Sequence, residues 1–261
     1  MRRVDPLNRN LGRTCPRAIS VLRPVDRTGS SPGTMFARST ERNDSAMREG
    51  NAVVVVGIGP GLGLAAAHRF AREGFVVVGL ARTPDRVPAE TRIEVHRADA
   101  ADPMSLDAVL RSIERDRGPI EILIYNAYRA SIGPPGSPTP DDIAADLQVN
   151  VVGAYAASQT MHSLMSPRGR GSIILTGGGL ALDPRPWLDA FSLSAGKAAL
   201  RNLAYSLSDA FKTSGIAVTT VTIAGRIEEN TSFAPDLIAE TMWHVHLAGL
   251  GAGPEVIFTG R

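Results

Sequence analysis

The sequence contains a single cysteine, Cys15, in 261 residues. One thiol cannot form an intramolecular disulfide, so a reducing compartment, the cytoplasm, is the expectation. Lysine is almost absent. Lys197 and Lys212 are the only two, and the positive charge is otherwise arginine. Long apolar runs are also missing. The longest uncharged apolar stretch, starting at Val53, is interrupted at Gly57, Gly59, Pro60, Gly61 and Gly63, which argues against a membrane-spanning helix. The five histidines, His68, His96, His162, His244 and His246, are scattered. His244 and His246 are two apart, which puts them on different faces of a helix, so no metal site is expected. A net charge of +2 says little about partners, and neither a nucleic-acid nor a membrane partner is expected.

What is present is an ordinary globular composition, 43% hydrophobic and 21% charged, in a length that suits one large domain or two small ones. Residues 1–50 stand apart. They hold ten arginines, five acids and several prolines and serines, with no apolar periodicity. They read as a disordered tail. A transit peptide, a nucleic-acid arm and translation from an upstream start are the readings open to it. The acids count against the first and the lack of interleaved aromatics against the second. Met47, just before the first strand, favours the third.

From residue 51 onward, strand and helix patterns alternate. Strands are predicted at about 52–57, 75–80, 92–96, 120–125, 171–176 and 216–223, with a short last strand at 255–258. Helices are predicted at about 61–73, 103–117, 140–165, 190–213 and 234–243. Such alternation predicts one α/β domain over 51–261, a Rossmann-like, doubly wound parallel sheet in three layers. The start of the helix at 140 is well signalled by Thr139 as cap, Pro140 in the first turn, and Asp141 and Asp142 against the dipole.

The stretch Val53–Ala67 carries the clearest chemistry. Four consecutive valines make a strand buried on both faces, and glycines then lead directly into a helix. The first helical N–H groups lack intrahelical partners, so that end attracts an anion, and glycines let a phosphate approach the backbone. The spacing is Gly57-x-x-x-Gly61-x-Gly63, not the common G-x-G-x-x-G. The second strand ends Val78-Gly-Leu-Ala-Arg82, with no acid before Asp85. Arg82 is placed to meet a 2′-phosphate, which favours NADP over NAD.

Taken together, these and other motifs resemble the short-chain dehydrogenases/reductases over roughly residues 51–231. The glycine turn, with Ile58, Gly59 and Leu62 between its glycines, matches that family's cofactor turn. Asp99 matches the acid that meets the adenine. Tyr125-Asn126-Ala127-Tyr128 resembles the family's Asn-Asn-Ala-Gly. Asn150 matches the asparagine that holds a water in the proton relay, and Lys197 the active-site lysine, which also binds the nicotinamide ribose. Ala224-Gly225 stands where Pro-Gly near the carboxamide is usual. The resemblance implies NADP binding, a small-molecule substrate and a homodimer or homotetramer built on the helices about 140–165 and 190–213. On the second of these, Ala198, Ala199, Leu200, Leu203, Ala204, Leu207 and Phe211 form a stripe that suits either core or interface.

The sequence departs from the family where the proton is handled. Leu193 stands at the position of the tyrosine four residues before the lysine, and Gly178 at the position of the serine. The expectation is an NADP(H)-dependent oxidoreductase acting on a carbonyl, alcohol or activated alkene with other acid–base groups. Ser194 and Thr176 are the nearest candidates, and Tyr128 and Tyr155 are more distant hydroxyls. The alternative is a nucleotide-binding pseudoenzyme acting as a sensor or partner subunit. The segment at about 226–253, with Met242 and Trp243, is expected to form an apolar substrate lid.

Overall fold

The computed structural model describes residues 51–88 and 93–260. The arginine-rich segment 1–50 and the disorder expected for it lie outside the described residues. Seven strands form one parallel sheet: β1 (Ala52–Val56), β2 (Val76–Ala81), β3 (Ile93–Arg97), β4 (Ile120–Tyr125), β5 (Gly171–Gly178), β6 (Ile216–Ile223) and β7 (Glu255–Phe258), in the order β3-β2-β1-β4-β5-β6-β7. The chain winds outward from β1 to β3, then returns to place β4 on the other side of β1. That reversal opens a crevice at the carboxyl ends of β1 and β4, the position where such sheets bind ligands.

Helices cover both faces. One layer holds α1 (Leu62–Arg72) and α6 (Pro235–Ala248); the other holds α2 (Pro103–Arg117), α4 (Ala154–Met165) and α5 (Phe191–Phe211), with the short α3 (Pro140–Leu147) leading into α4. The four valines of β1 show why the sheet is buried twice. Val54 and Val56 enter the core under α2, α4 and α5, and Val53 and Val55 enter the core under α1 and α6. All four are 2% exposed or less, as a strand with period-two side chains and two covered faces must be. The stripe on α5 belongs mainly to the core. Leu200, Ala204, Leu207 and Phe211 are buried and Leu203 packs against them, while Ala198 and Ala199 are exposed.

Two expectations are corrected. The single helix expected over 140–165 is broken in register by a π-helical turn at Gln148–Gly153, between α3 and α4. The widened turn lets Gly153 sit against the Ala100 carbonyl and the Tyr125 hydroxyl, where an added Cβ would lie 2.1 and 2.5 Å from them. The predicted cap of α3 is as expected, with Thr139 and Asp142 exchanging hydrogen bonds.

The lid is the second correction. Met242 and Trp243 are buried in α6, not poised over a cleft. Phe70 of α1 packs edge-on against Trp243 with ring centroids 5.4 Å apart, and Phe75 joins them at 6.4 Å. The apolar residues that suggested a lid are the inner face of an amphipathic helix. Only the loop 224–234 separates β6 from α6.

Candidate active site and dinucleotide cleft

The glycine turn occupies the crevice. Gly57 ends β1 with φ +86°, and a Cβ there would fall 2.4 Å from the Ala127 nitrogen. A Cβ on Gly63 would meet the Gly57 carbonyl oxygen at 2.7 Å. These two glycines are needed by the protein's own packing. Gly59 and Gly61 differ, because an added Cβ at either would meet nothing within 4 Å. The turn is therefore closed toward the protein and open toward the crevice, with the first amides of α1 at its edge. Ile58 and Leu62 are buried and hold the turn down, Ile58 against Gly79 of β2. An open cradle of this kind fits the pyrophosphate of a dinucleotide.

Neighbouring groups line the same edge. Asn126 donates its side-chain amide to the Gly57 carbonyl at 2.9 Å and its backbone N–H to Val56, tying β4 to the turn. Arg82 follows β2 and is exposed, and Asp99 follows β3 and is exposed, its carboxylate accepting from Ala101 N–H at 3.0 Å. Ala127 flanks Gly57 across the crevice. Ala224 and Gly225 follow β6. Ala224 donates to the Phe258 carbonyl, and the Phe233 ring covers Gly225 so closely that a Cβ there would meet it at 2.3 Å.

Asn150 sits in the π-helical turn, and both ends of its amide are engaged. Its Oδ1 accepts from Arg129 N–H at 2.9 Å, and its Nδ2 donates to the Arg129 carbonyl at 2.8 Å. The Arg129 loop is in turn fixed by Asp146, a fully buried carboxylate that bonds the Arg129 guanidinium, Ser131 N–H at 2.6 Å and the Ser192 hydroxyl at 2.6 Å. Nothing in the sequence pattern marked this cluster. Its signal was a carboxylate on the inward side of a helix, which needs partners when buried.

Lys197 is buried on α5, and its ammonium donates to the Thr176 carbonyl of β5 at 2.6 Å. Burial pushes it down from the usual lysine range to about 8. Leu193 is one turn earlier on the same face and offers no proton. A side chain on Gly178 would be free of clash, its nearest neighbour being Lys197 Cγ at 3.8 Å. The Ser194 hydroxyl donates to the Leu180 carbonyl at 2.9 Å, so it is turned to the 3-10 turn after β5. Thr176 Oγ1 is buried with no hydrogen-bond partner. Tyr155 is exposed on α4 and its hydroxyl accepts from Gln159. Tyr128 is 62% exposed at the mouth of the crevice. Thus the structure brings together the glycine turn, Asn126, Asn150 and Lys197 at the carboxyl ends of β1, β4 and β5.

Among the described residues, no group of three His, Cys, Asp or Glu side chains is arranged to hold a metal, and no helix is long and apolar enough to cross a membrane. A family model described as short chain dehydrogenase matches residues 51–232. Oxidoreductase asL5 of Sarocladium schorii is 30% identical over 174 residues, covering 65% of this chain and 69% of that protein. The 2,3-dihydro-2,3-dihydroxybenzoate dehydrogenase of Bacillus subtilis is 29% identical over 160 residues, 58% of this chain and 61% of that protein, so the match spans about three fifths of that relative's length. Among solved structures, a gluconate 5-dehydrogenase from Burkholderia cenocepacia in complex with NADP and tartrate superposes with a TM-score of 0.72 at 20% identity, covering 81% of this chain and 94% of that one. A metagenomic short-chain oxidoreductase in complex with NADP gives 0.71 at 24% identity, covering 81% and 98%. At these identities the structural likenesses establish the fold.

Proposed function

The chain belongs to the short-chain dehydrogenase family, and from that premise we propose that it is an NADP(H)-dependent oxidoreductase acting on an apolar small-molecule carbonyl, alcohol or activated alkene. The observation that carries this reading is the glycine turn at the β1–β4 switch point. Gly57 and Gly63 are closed by protein, while Gly59 and Gly61 face open space. The dinucleotide would supply or accept a hydride there. Asn126 keeps the turn against β4, and Arg82 meets the 2′-phosphate that distinguishes NADP. Asp99 and Ala127 flank the nucleoside, and Ala224 and Gly225 the carboxamide. Lys197 reaches the ribose.

The substrate side is read from three loops at the carboxyl ends of β4, β5 and β6. Ile132, Leu182, Trp187, Leu188 and Ile227 are each at least 41% exposed there. The Gly133 N–H donates to the Asp189 carbonyl at 2.9 Å, so the first two loops lie side by side. Large apolar side chains held in water on adjacent loops suit an apolar ligand.

One observation favours a second reading. Leu193 and Gly178 leave neither tyrosine nor serine beside Lys197, which suits a nucleotide-binding sensor or partner subunit without turnover. Titration with NADPH and NADH, followed by a panel of ketones, aldehydes and enones, separates the two. Binding with turnover supports the enzyme. Binding without turnover, with activity appearing in the Leu193→Tyr, Gly178→Ser double variant, supports the second reading. Failure to bind either nucleotide would sink both.

A further inference from the structure

The proton needed by an oxidoreductase of this type has few sources in the cleft. The chain has four tyrosines. Tyr125 is buried and its hydroxyl donates to the Val149 carbonyl at 2.5 Å. The Tyr155 hydroxyl accepts from Gln159, and Tyr205 donates to Glu255. Tyr128, in the segment after β4, and Tyr155, on α4, are both exposed and keep a hydroxyl proton to donate. The serines near Lys197 are committed as well, Ser194 to the Leu180 carbonyl and Ser192 to Asp146.

Lys197 is different. One of its three N–H bonds is fixed on the Thr176 carbonyl, which pins the ammonium at the end of β5 and leaves two protons to donate. A Cβ on Gly178 would meet no atom closer than Lys197 Cγ at 3.8 Å, so a group at that position lies in contact with the lysine stem without clash. Of the two family positions beside the lysine, Gly178 leaves the serine's without a side chain and Leu193 fills the tyrosine's with a group that has no titratable proton.

We propose that Lys197 is itself the acid–base catalyst, passing its proton directly to the substrate oxygen. The proposal rests on the oxidoreductase reading above and names the residue that completes it. In the reductive direction the carbonyl carbon receives a hydride, two electrons and one hydrogen, from the reduced dinucleotide. The C–O π bond breaks, and its oxygen takes a proton from the Lys197 ammonium, which becomes a neutral amine. Water entering beside Gly178 restores that proton. In the oxidative direction the neutral amine takes the alcohol proton.

The electrostatic setting suits a group that must both hold and release a proton. Three carboxylates on elements packed around α5 are paired elsewhere: Asp146 with Arg129, Glu255 with Arg201 and Asp183 with Arg185. Asp189 lies exposed in the turn before α5, and the Tyr205 hydroxyl bonds Glu255 on the outer side of the helix. No partner charge therefore fixes Lys197 in its cationic form, and burial brings its pKa to about 8, close to the working range of a general acid–base.

The chain's two lysines make the test direct. With isotope-labelled lysine, the full-length apo protein gives two side-chain NMR signals, and Lys212→Arg identifies that of Lys197. Its titration is followed without dinucleotide and compared with the pH profile of kcat/KM for carbonyl reduction, which reports groups of the unliganded enzyme. The expected result is a kcat/KM limb that falls as pH rises through the pKa measured for Lys197. Lys197→Met should lower kcat at saturating dinucleotide by roughly a hundredfold or more, with dinucleotide binding weakened by loss of the ribose contact but still measurable. Lys197→Arg should not restore it, since a guanidinium holds its proton. Tyr128→Phe should keep the same pH limb. The proposal is overturned if Lys197→Met turns over normally, if the limb follows Tyr128 rather than Lys197, or if dinucleotide binds with no turnover across the panel. Absence of dinucleotide binding, read separately by titration, would instead overturn the oxidoreductase reading on which it rests.

Discussion

Two single-methyl substitutions four residues apart should behave in opposite ways, which makes the glycine turn testable without a known substrate. In Gly63→Ala the new Cβ would lie 2.7 Å from the Gly57 carbonyl oxygen and 3.0 Å from Ile58 Cα, both backbone atoms that cannot rotate away. Overpacking of this kind costs about 1–3 kcal/mol. The helix preference of alanine over glycine offsets at most about 1 kcal/mol of that. With the full offset the net loss is at most about 2 kcal/mol, which lowers the apo Tm by up to about 8 °C at this chain length. In Gly59→Ala the methyl meets nothing within 4 Å, so the apo Tm should move by less than about 2 °C. The same methyl stands in the cradle, where about 1–3 kcal/mol of lost fit weakens binding roughly fivefold to a hundredfold. Thermal unfolding of the apo protein and fluorescence titration with NADPH read the two effects. Gly59→Ala protein that binds with wild-type affinity would refute the reasoning, because the open side of the turn would then not face the ligand.

Three further substitutions probe other parts of the account. Arg82→Ala should weaken NADPH by about tenfold or more, as expected for loss of a charged hydrogen bond, and leave NADH unchanged; equal loss for both nucleotides would place the 2′-phosphate elsewhere. Trp243→Ala removes the ring packed on Phe70 and Phe75 and should cost about 3–5 kcal/mol in urea unfolding, with dinucleotide affinity of the folded protein retained. A normal stability with altered substrate KM would restore the lid. Lys197→Met tests burial of the charge. The folded pKa of about 8 lies below the ordinary 10.5, so below pH 8 both states carry the proton and burial of the cation costs its full amount. Between pH 8 and 10.5 the unfolded chain holds more protons, and wild type gains on the variant as pH rises, by about 3 kcal/mol in all. A difference that stays flat over that window would show a solvated lysine.

Most of the fold could be read from the sequence because its signals are local. The valines of β1, the glycines after it and the cap at Thr139 each act within a few residues, and the strands and helices fall within a few positions of expectation. The Asn126 position was legible for the same reason, as it directly follows β4, whereas Lys197, inside α5, was legible only through the family motif around it. The misses were not local. A helix pattern over 140–165 cannot reveal that Asn150 needs a π-helical turn, because the cause lies in the Arg129 backbone and the Ala100 carbonyl across the crevice. Trp243 read as a lid residue because an amphipathic helix and an apolar lid look alike until Phe70 and Phe75 are found beneath it. Ser194 shared the right helix face, but its hydroxyl was claimed by Leu180, a contact that depends on the turn after β5.

The central claim is that the turn from Gly57 to Gly63 holds a dinucleotide. Its most direct test is titration of the wild-type protein with NADPH and with NADH, read by nucleotide fluorescence, alongside Gly59→Ala. The account predicts saturable binding, tighter for NADPH, and weakened by Gly59→Ala while the apo Tm is unchanged. Failure of the wild-type protein to bind either nucleotide would contradict it.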